Sequence, residues 1–174
     1  MVLPTLLRPK SRGFIKLRTN NPFDHPVIQP NYLQEPEDIQ TFVAGMRLGL
    51  KFTETKAFKD NNLSLVLDKH HCGQFESLSD ADLECMIRHW STTVYHHSST
   101  CKMGPKTDPM AVVDAELRIH GVLNLRVIDA SIMPTIVSGN TNAPTIMIGE
   151  KGASMILQSW KVKRSENSFR KEEL

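Results

Sequence analysis

The chain has 174 residues, with 21 Lys and Arg against 19 Asp and Glu for a formal net charge of +2, and is 40% hydrophobic and 23% charged. These values match soluble globular proteins, so a packed core is expected rather than disorder, in one domain or two small lobes, and the length is too short for a two-domain cofactor enzyme. Charges of both signs are interspersed, which argues against nucleic acid as a partner, and no apolar run reaches the roughly 18–20 residues of a membrane-spanning helix.

The first residues, MVLPTLLRPKSRG, hold a short apolar stretch that Pro4 interrupts and no charged leader precedes, unlike a secretory signal. The compartment is therefore left undetermined. Gly13 to Thr19, GFIKLRT, alternates apolar and basic residues with the period of a half-buried strand. The following NNPFDHPVIQP is dense in Asn, Asp and Pro and reads as a loop with extended pieces.

From Glu35 the period lengthens. Pro36 suits a first helical position, Glu37 and Asp38 complement the positive helix end, and Ile39, Phe42, Val43, Met46 and Leu50 form one apolar face. That pattern predicts an amphipathic helix to about Phe58. KHHCGQ then reads as a surface loop, and a second helix is expected from Ser79, with Ser79 as cap, Asp82 three residues on, and Leu83, Met86, Ile87 and Trp90 inside.

Thr92 to Tyr95 reads as a short strand, which would send His96 and His97 to opposite faces. LNLRVIDAS, Leu123 to Ser131, reads as a buried strand delivering Asp129 at its end. After an irregular loop, a long helix is predicted from Asn142, with Asn142 as N-cap and Pro144 in the first turn. Gly149 and Gly152 inside that helix each cost about 1 kcal/mol relative to Ala, which suggests close packing against something flat. The charged tail KVKRSENSFRKEEL reads as a solvated, frayed terminus.

Cys72, Cys85 and Cys101 are an odd number without CxxC spacing, so neither a disulfide framework nor a zinc site is expected. His70, His71 and Cys72 are adjacent, with His89, His96, His97 and Cys101 nearby in sequence, which raises metal binding as a possible function. Adjacent ligands on one loop rarely converge, so a solvated loop is the preferred reading there.

Two features carry chemistry. A helix beginning at Asn142 offers free N–H groups and partial positive charge to an anion or a developing negative charge, although Asn is also a common plain cap. A histidine such as His96 is the usual general base for a hydroxyl proton near neutral pH, and a buried structural histidine is the competing reading.

Taken together, SRGFIKL, VYHHSSTCKMGP, LRVIDASIMPT and GNTNAPTIMIGEKGASMI closely resemble the C-terminal half of the glucose-methanol-choline (GMC) oxidoreductases, flavoenzymes that oxidise alcohols. The resemblance runs from about Leu7 to Trp160 and is nearest to the glucose dehydrogenase-like branch that uses an external electron acceptor.

It implies an α+β fold: an antiparallel substrate-domain sheet with helices over about 1–105, then 106–160 returning with a strand and long helix to an FAD-binding α/β domain, and a tail over 161–174. By the same resemblance His96 is the catalytic base, Asn142 is the second catalytic residue holding the substrate oxygen, and hydride passes from the carbinol carbon to flavin N5. Asp129 and Ala130 would lie against the pyrophosphate or ribityl chain of FAD, and N–H groups near Pro144 and Thr145 would face the flavin N1–C2=O edge.

No GxGxxG turn occurs among the nine glycines. The implied partners are an alcohol or sugar substrate and an N-terminal FAD-binding half, without which FAD would not be held by this chain alone. Where the family has Pro and Gly after the catalytic histidine, this sequence has His97 and Ser99. If that Gly position needs positive φ, Ser99 introduces strain of about 1 kcal/mol. The alternative function is a non-catalytic relic or interaction module that retains the fold without turnover.

Overall fold

The computed structural model describes residues 3–66 and 72–172, with side chains described in the last helix only to residue 161. The chain divides into two compact units, Met1–Val94 and Tyr95–Leu174. That division falls ahead of the boundary at 105 expected from the sequence. The architecture is helical with a small two-stranded antiparallel sheet.

In the first unit, β1 (Phe14–Lys16) pairs antiparallel with β2 (Val27–Gln29), Ile15 opposite Ile28. The expected strand is present but is not half-buried. Ile15 is 50% and Ile28 66% exposed, and Leu17 and Phe23 in the connection are more exposed still.

Helix α1 (Pro36–Leu50) starts where Pro36 predicts. It ends earlier than expected: the Thr53 hydroxyl donates to the Leu50 carbonyl at 2.7 Å and the Thr55 hydroxyl to that of Phe52 at 2.7 Å. These short back-bonds compete with the helical ladder. A 3₁₀ turn at Lys51–Glu54 follows, and Thr55, in extended backbone, caps the short helix α2 (Lys56–Asp60).

Helix α3 (Asp80–Trp90) is capped as predicted, with the Ser79 hydroxyl accepting the Asp82 N–H. Leu83 is fully buried and packs with Met86 against Val43, Met46 and Leu50 of α1. Trp90, expected inside, is 56% exposed.

Asp38 secures the N-terminal segment to α1. Its carboxylate accepts the backbone N–H groups of Lys10 at 2.6 Å and Ser11 at 2.8 Å. Burial, the largest single influence, opposes its ionisation. The Lys10 and Ser11 hydrogen bonds with the Arg12 charge outweigh it and hold the carboxyl below the ordinary aspartate value of 3.8.

Cysteine pairing corrects the sequence expectation. Cys72 and Cys85 form a disulfide, Cα atoms 5.9 Å apart, linking the loop before α3 to its middle, while Cys101 is free. Counting cysteines missed it because an odd total leaves a pair and a single as readily as three thiols. His89 lies one turn after Cys85 and its ring approaches both sulfurs, but those sulfurs are bonded to each other. His70 and His71 lie outside the described residues.

The second unit begins with a correction. No strand forms at Thr92 to Tyr95, because Tyr95 sits at φ 61°, a left-handed conformation that ends extended backbone. The segment after it is laid against two others: Cys101 N–H donates to Ser131 O at 3.0 Å, Met103 N–H to Ile132 O at 2.8 Å and Gly104 N–H to Val113 O at 3.0 Å.

The predicted buried strand from Leu123 to Ser131 is likewise absent. The chain turns at Gly121 and at Asn124, both at positive φ, and folds back so that Ile119 N–H reaches Leu125 O and Val127 N–H reaches Leu117 O. Leu123 is 89% exposed. Val127 and Ile128, with Ala130, pack onto a core of Val113, Leu117, Ile132, Met133 and Ile148.

Helix α4 (Asn142–Glu172) supplies Ile148 to that core. The two helix glycines differ. A Cβ on Gly152 would overlap the Ile128 side chain, whereas one on Gly149 would meet nothing within 4 Å. The close packing inferred for both holds at Gly152 alone. The tail expected to fray is helical to Glu172, which follows from a run of Lys, Arg, Glu and Ser without Pro or Gly after Gly152. Among the described residues no helix is long and apolar enough to cross a membrane.

Candidate active site

At the front of α4 the backbone sets the donors. Thr145 N–H bonds to Thr141 O at 3.0 Å, which makes Thr141 the cap and Asn142 the first helical residue, one place later than expected for Asn142. Pro144, third in the helix, has no N–H. The Thr145 hydroxyl also donates to Thr141 O, at 2.6 Å. Two of the donors anticipated near Pro144 and Thr145 are thus missing or used, and the first-turn N–H groups left facing outward are those of Asn142 and Ala143.

His96 stands directly before this helix end, half-buried, on backbone bracketed by residues in the left-handed region, Tyr95 at φ 61° and Ser99 at φ 72°. The strain inferred for a Ser at a Gly-type position is therefore present at Ser99. The His96 ring is held at both nitrogens. Nδ1 lies 2.9 Å from Thr141 Oγ1, and Nε2 lies 3.1 Å from Asn140 Nδ2.

Sequence reasoning paired His96 with Asn142. The structure brings the two into the same place, but Asn140 and Thr141 are the residues that hydrogen-bond the ring, while Asn142 is exposed beside them. A signal for Thr141 was available. A capping Thr normally accepts the N–H two or three residues on, and Pro144 at the third position removes one of those donors. Its hydroxyl is turned to the histidine instead. His97 is exposed.

Asp129 and Ala130 form a separate local feature. The Asp129 carboxylate accepts Ser131 N–H at 2.7 Å, capping the 3₁₀ turn Ala130–Ile132, and the rest of the side chain is exposed. This turn is the segment to which Cys101 and Met103 are bonded, so the stretch after His96 and the Asp129 turn are fixed to each other through backbone.

The family model for GMC oxidoreductase, in its C-terminal part, matches residues 9–149. The chain belongs to the GMC oxidoreductase family. This GMC chain is 44% identical over 165 residues to the glucose dehydrogenase [FAD, quinone] of Drosophila pseudoobscura pseudoobscura, covering 93% of the chain and 26% of that protein. It is 49% identical over 150 residues to the mitochondrial choline dehydrogenase of Homo sapiens, covering 86% and 24% respectively.

Among solved structures, a fungal aryl-alcohol oxidase superposes with a TM-score of 0.77 at 30% identity, covering 90% of this chain and 25% of that one. An FAD-dependent oxidoreductase from Chaetomium thermophilum gives 0.79 at 26% identity, covering 89% and 26%. The GMC chain thus spans about a quarter of the length of the relatives it matches.

Proposed function

We propose that this chain is the C-terminal portion of an FAD-dependent oxidoreductase acting on the CH–OH group of an alcohol or sugar, with His96 as the base. The observation that carries the reading is the His96 ring, held at both nitrogens by Asn140 and Thr141 at the mouth of a long helix.

A bound flavin would supply the two-electron acceptor for the carbinol hydrogen. The residues present fit that group. The Asn142 and Ala143 N–H groups, at the positive end of α4, suit an edge on which negative charge grows. Asp129 and Ala130 offer an exposed polar turn for the dinucleotide, and Pro144 fixes the helix entry while Thr145 braces it through Thr141.

In the reaction, His96 takes the hydroxyl proton as the carbinol C–H hydrogen leaves with its electron pair and the C=O bond forms. The Asn142 side chain, exposed beside the ring, holds the substrate oxygen in line. Asn cannot accept the proton, so His96 is the base.

Residues 1–105 would then contribute the substrate-domain sheet and helices, and 106–160 would rejoin an FAD-binding α/β domain supplied by an N-terminal half. The exposed apolar residues of the β1–β2 hairpin, Ile15, Leu17, Phe23 and Ile28, support this, since such a patch marks a surface meant to be covered. The second reading, a fold retained without turnover, draws on one observation, the strained Ser99 beside His96.

The test is anaerobic mixing of the flavoprotein containing this chain with primary alcohols and aldoses while oxidised flavin absorbance is followed. Bleaching supports the oxidoreductase. A protein that carries no flavin, or a flavin that no CH–OH donor bleaches, supports the inert fold.

A further inference from the structure

Of the chain's asparagines only Asn62 stands in an Asn-X-Ser/Thr triplet with X other than Pro, Asn62-Leu63-Ser64. Such a triplet accepts an N-linked sugar when it lies on an accessible loop of a protein made in a secretory compartment. A triplet this short also arises by chance, so the surroundings of Asn62 decide its meaning.

Access is the first condition. Helix α2 ends at Asp60, and the Asn62 N–H donates to the Lys59 carbonyl at 3.0 Å in a turn with Asn62 at φ 51°. Residues 61–66 are all exposed, and 63–66 lie in no helix or strand. Asn61 spends its side-chain amide on the Ala57 carbonyl at 2.8 Å, whereas among the described residues the Asn62 side chain makes no hydrogen bond. The left-handed turn by itself accounts for an Asn at 62. It does not account for the hydroxyl two residues on, which is as exposed as the amide.

Compartment is the second condition. The Cys72–Cys85 disulfide, in the same unit, belongs to a chain that matures under oxidising conditions, since cytosolic thiols are kept reduced. The surface gives a third observation. Leu63, Leu65 and Val66 follow Asn62 directly and are exposed, Val66 to 88%. A hydrated glycan on Asn62 would stand over this apolar stretch and shield it.

We infer that Asn62 is an N-glycosylation site, and that this chain acquires its sugar in the same oxidising secretory compartment that pairs Cys72 with Cys85. The donor class is an oligosaccharide on a lipid pyrophosphate. The Asn62 Nδ2–C1 bond forms as the sugar C1–O bond breaks, the lipid pyrophosphate leaves with the electron pair, and Nδ2 gives up one proton. The inference does not rest on the reaction proposed for His96.

The test uses the flavoprotein containing this chain, isolated from its native source, treated with peptide N-glycosidase in heavy-oxygen water and digested with trypsin. The enzyme turns a sugar-bearing Asn into Asp, so tandem mass spectra of the peptide of residues 60–69 should place heavy oxygen at position 62. In the same cells, S64A should leave Asn62 bare, S64T should keep the sugar, and N62Q should remove one glycan step from the gel mobility shift. A bare Asn62 in the wild-type peptide overturns the inference, whatever the state of the cysteines. A sugar that persists at Asn62 in S64A overturns it as well, because the Ser64 hydroxyl would then play no part in recognition.

Discussion

The two units of the chain are stabilised differently. In Met1–Val94, two helices bury a conventional face, Leu83 and Met86 against Val43 and Met46, and a disulfide and the Asp38 carboxylate tie loops to that pair. In Tyr95–Leu174 most of the core comes from residues in no regular element, Val113, Leu117 and Met133, ordered by cross-linked loops and covered by α4. Periodic burial builds the scaffold of the first unit. Irregular backbone, which can place side chains that a strand or helix cannot, builds the corner of the second that holds His96.

That contrast can be tested first at the disulfide. For a pair separated by 13 residues, removing the bridge by C72S/C85S should cost about 3 kcal/mol of first-unit stability in denaturant unfolding. The His96 resonances should not move. A matching loss at His96 would mean that the units do not behave independently.

Asp38→Asn should cost the first unit about 2 kcal/mol at neutral pH, because a buried carboxylate accepting two N–H groups becomes a neutral amide. The sign of the pH effect follows from a carboxyl held below its ordinary value. Its stabilisation is complete above about pH 3.8 and is lost as pH falls through the folded value. The D38N protein should therefore show a shallower stability loss than wild type below that pH, as read by urea midpoints.

The two glycines of α4 sharpen the view of the second unit. Gly152→Ala should destabilise it by about 1–3 kcal/mol, since the new methyl must displace Ile128 from the core, while Gly149→Ala, in open space, should stabilise by up to about 1 kcal/mol. Opposite signs in thermal unfolding are the expected outcome. The smallest effect is at Ser99→Gly, where relief of the left-handed strain should add about 1 kcal/mol.

Legibility in the sequence followed the same division. Helices α1, α3 and α4 could be read because caps and a 3.6-residue period are local, and Pro36, Ser79 and Pro144 mark their starts. The strands expected at Thr92–Tyr95 and Leu123–Ser131 could not, because apolar residues there serve a core reached through turns. Tyr95, the left-handed residue that breaks the first, carries little sequence signal, whereas Asn124, which breaks the second, is of a type that accepts this conformation, a signal the strand reading passed over. His96 was legible through its motif. Pro144 hinted that the Thr141 hydroxyl has a donor fewer to cap, but that Thr141 and Asn140 meet the ring was not legible, since a contact across 44 or 45 residues is a property of the loop fold.

The most direct test of the account is the rate of anaerobic flavin reduction by a primary alcohol in the enzyme containing this chain, compared between wild type and H96Q. With His96 as the base, H96Q should still bind flavin and bleach roughly 10²- to 10⁴-fold more slowly. Bleaching at the wild-type rate would contradict the assignment of the base and with it the role given to the second unit.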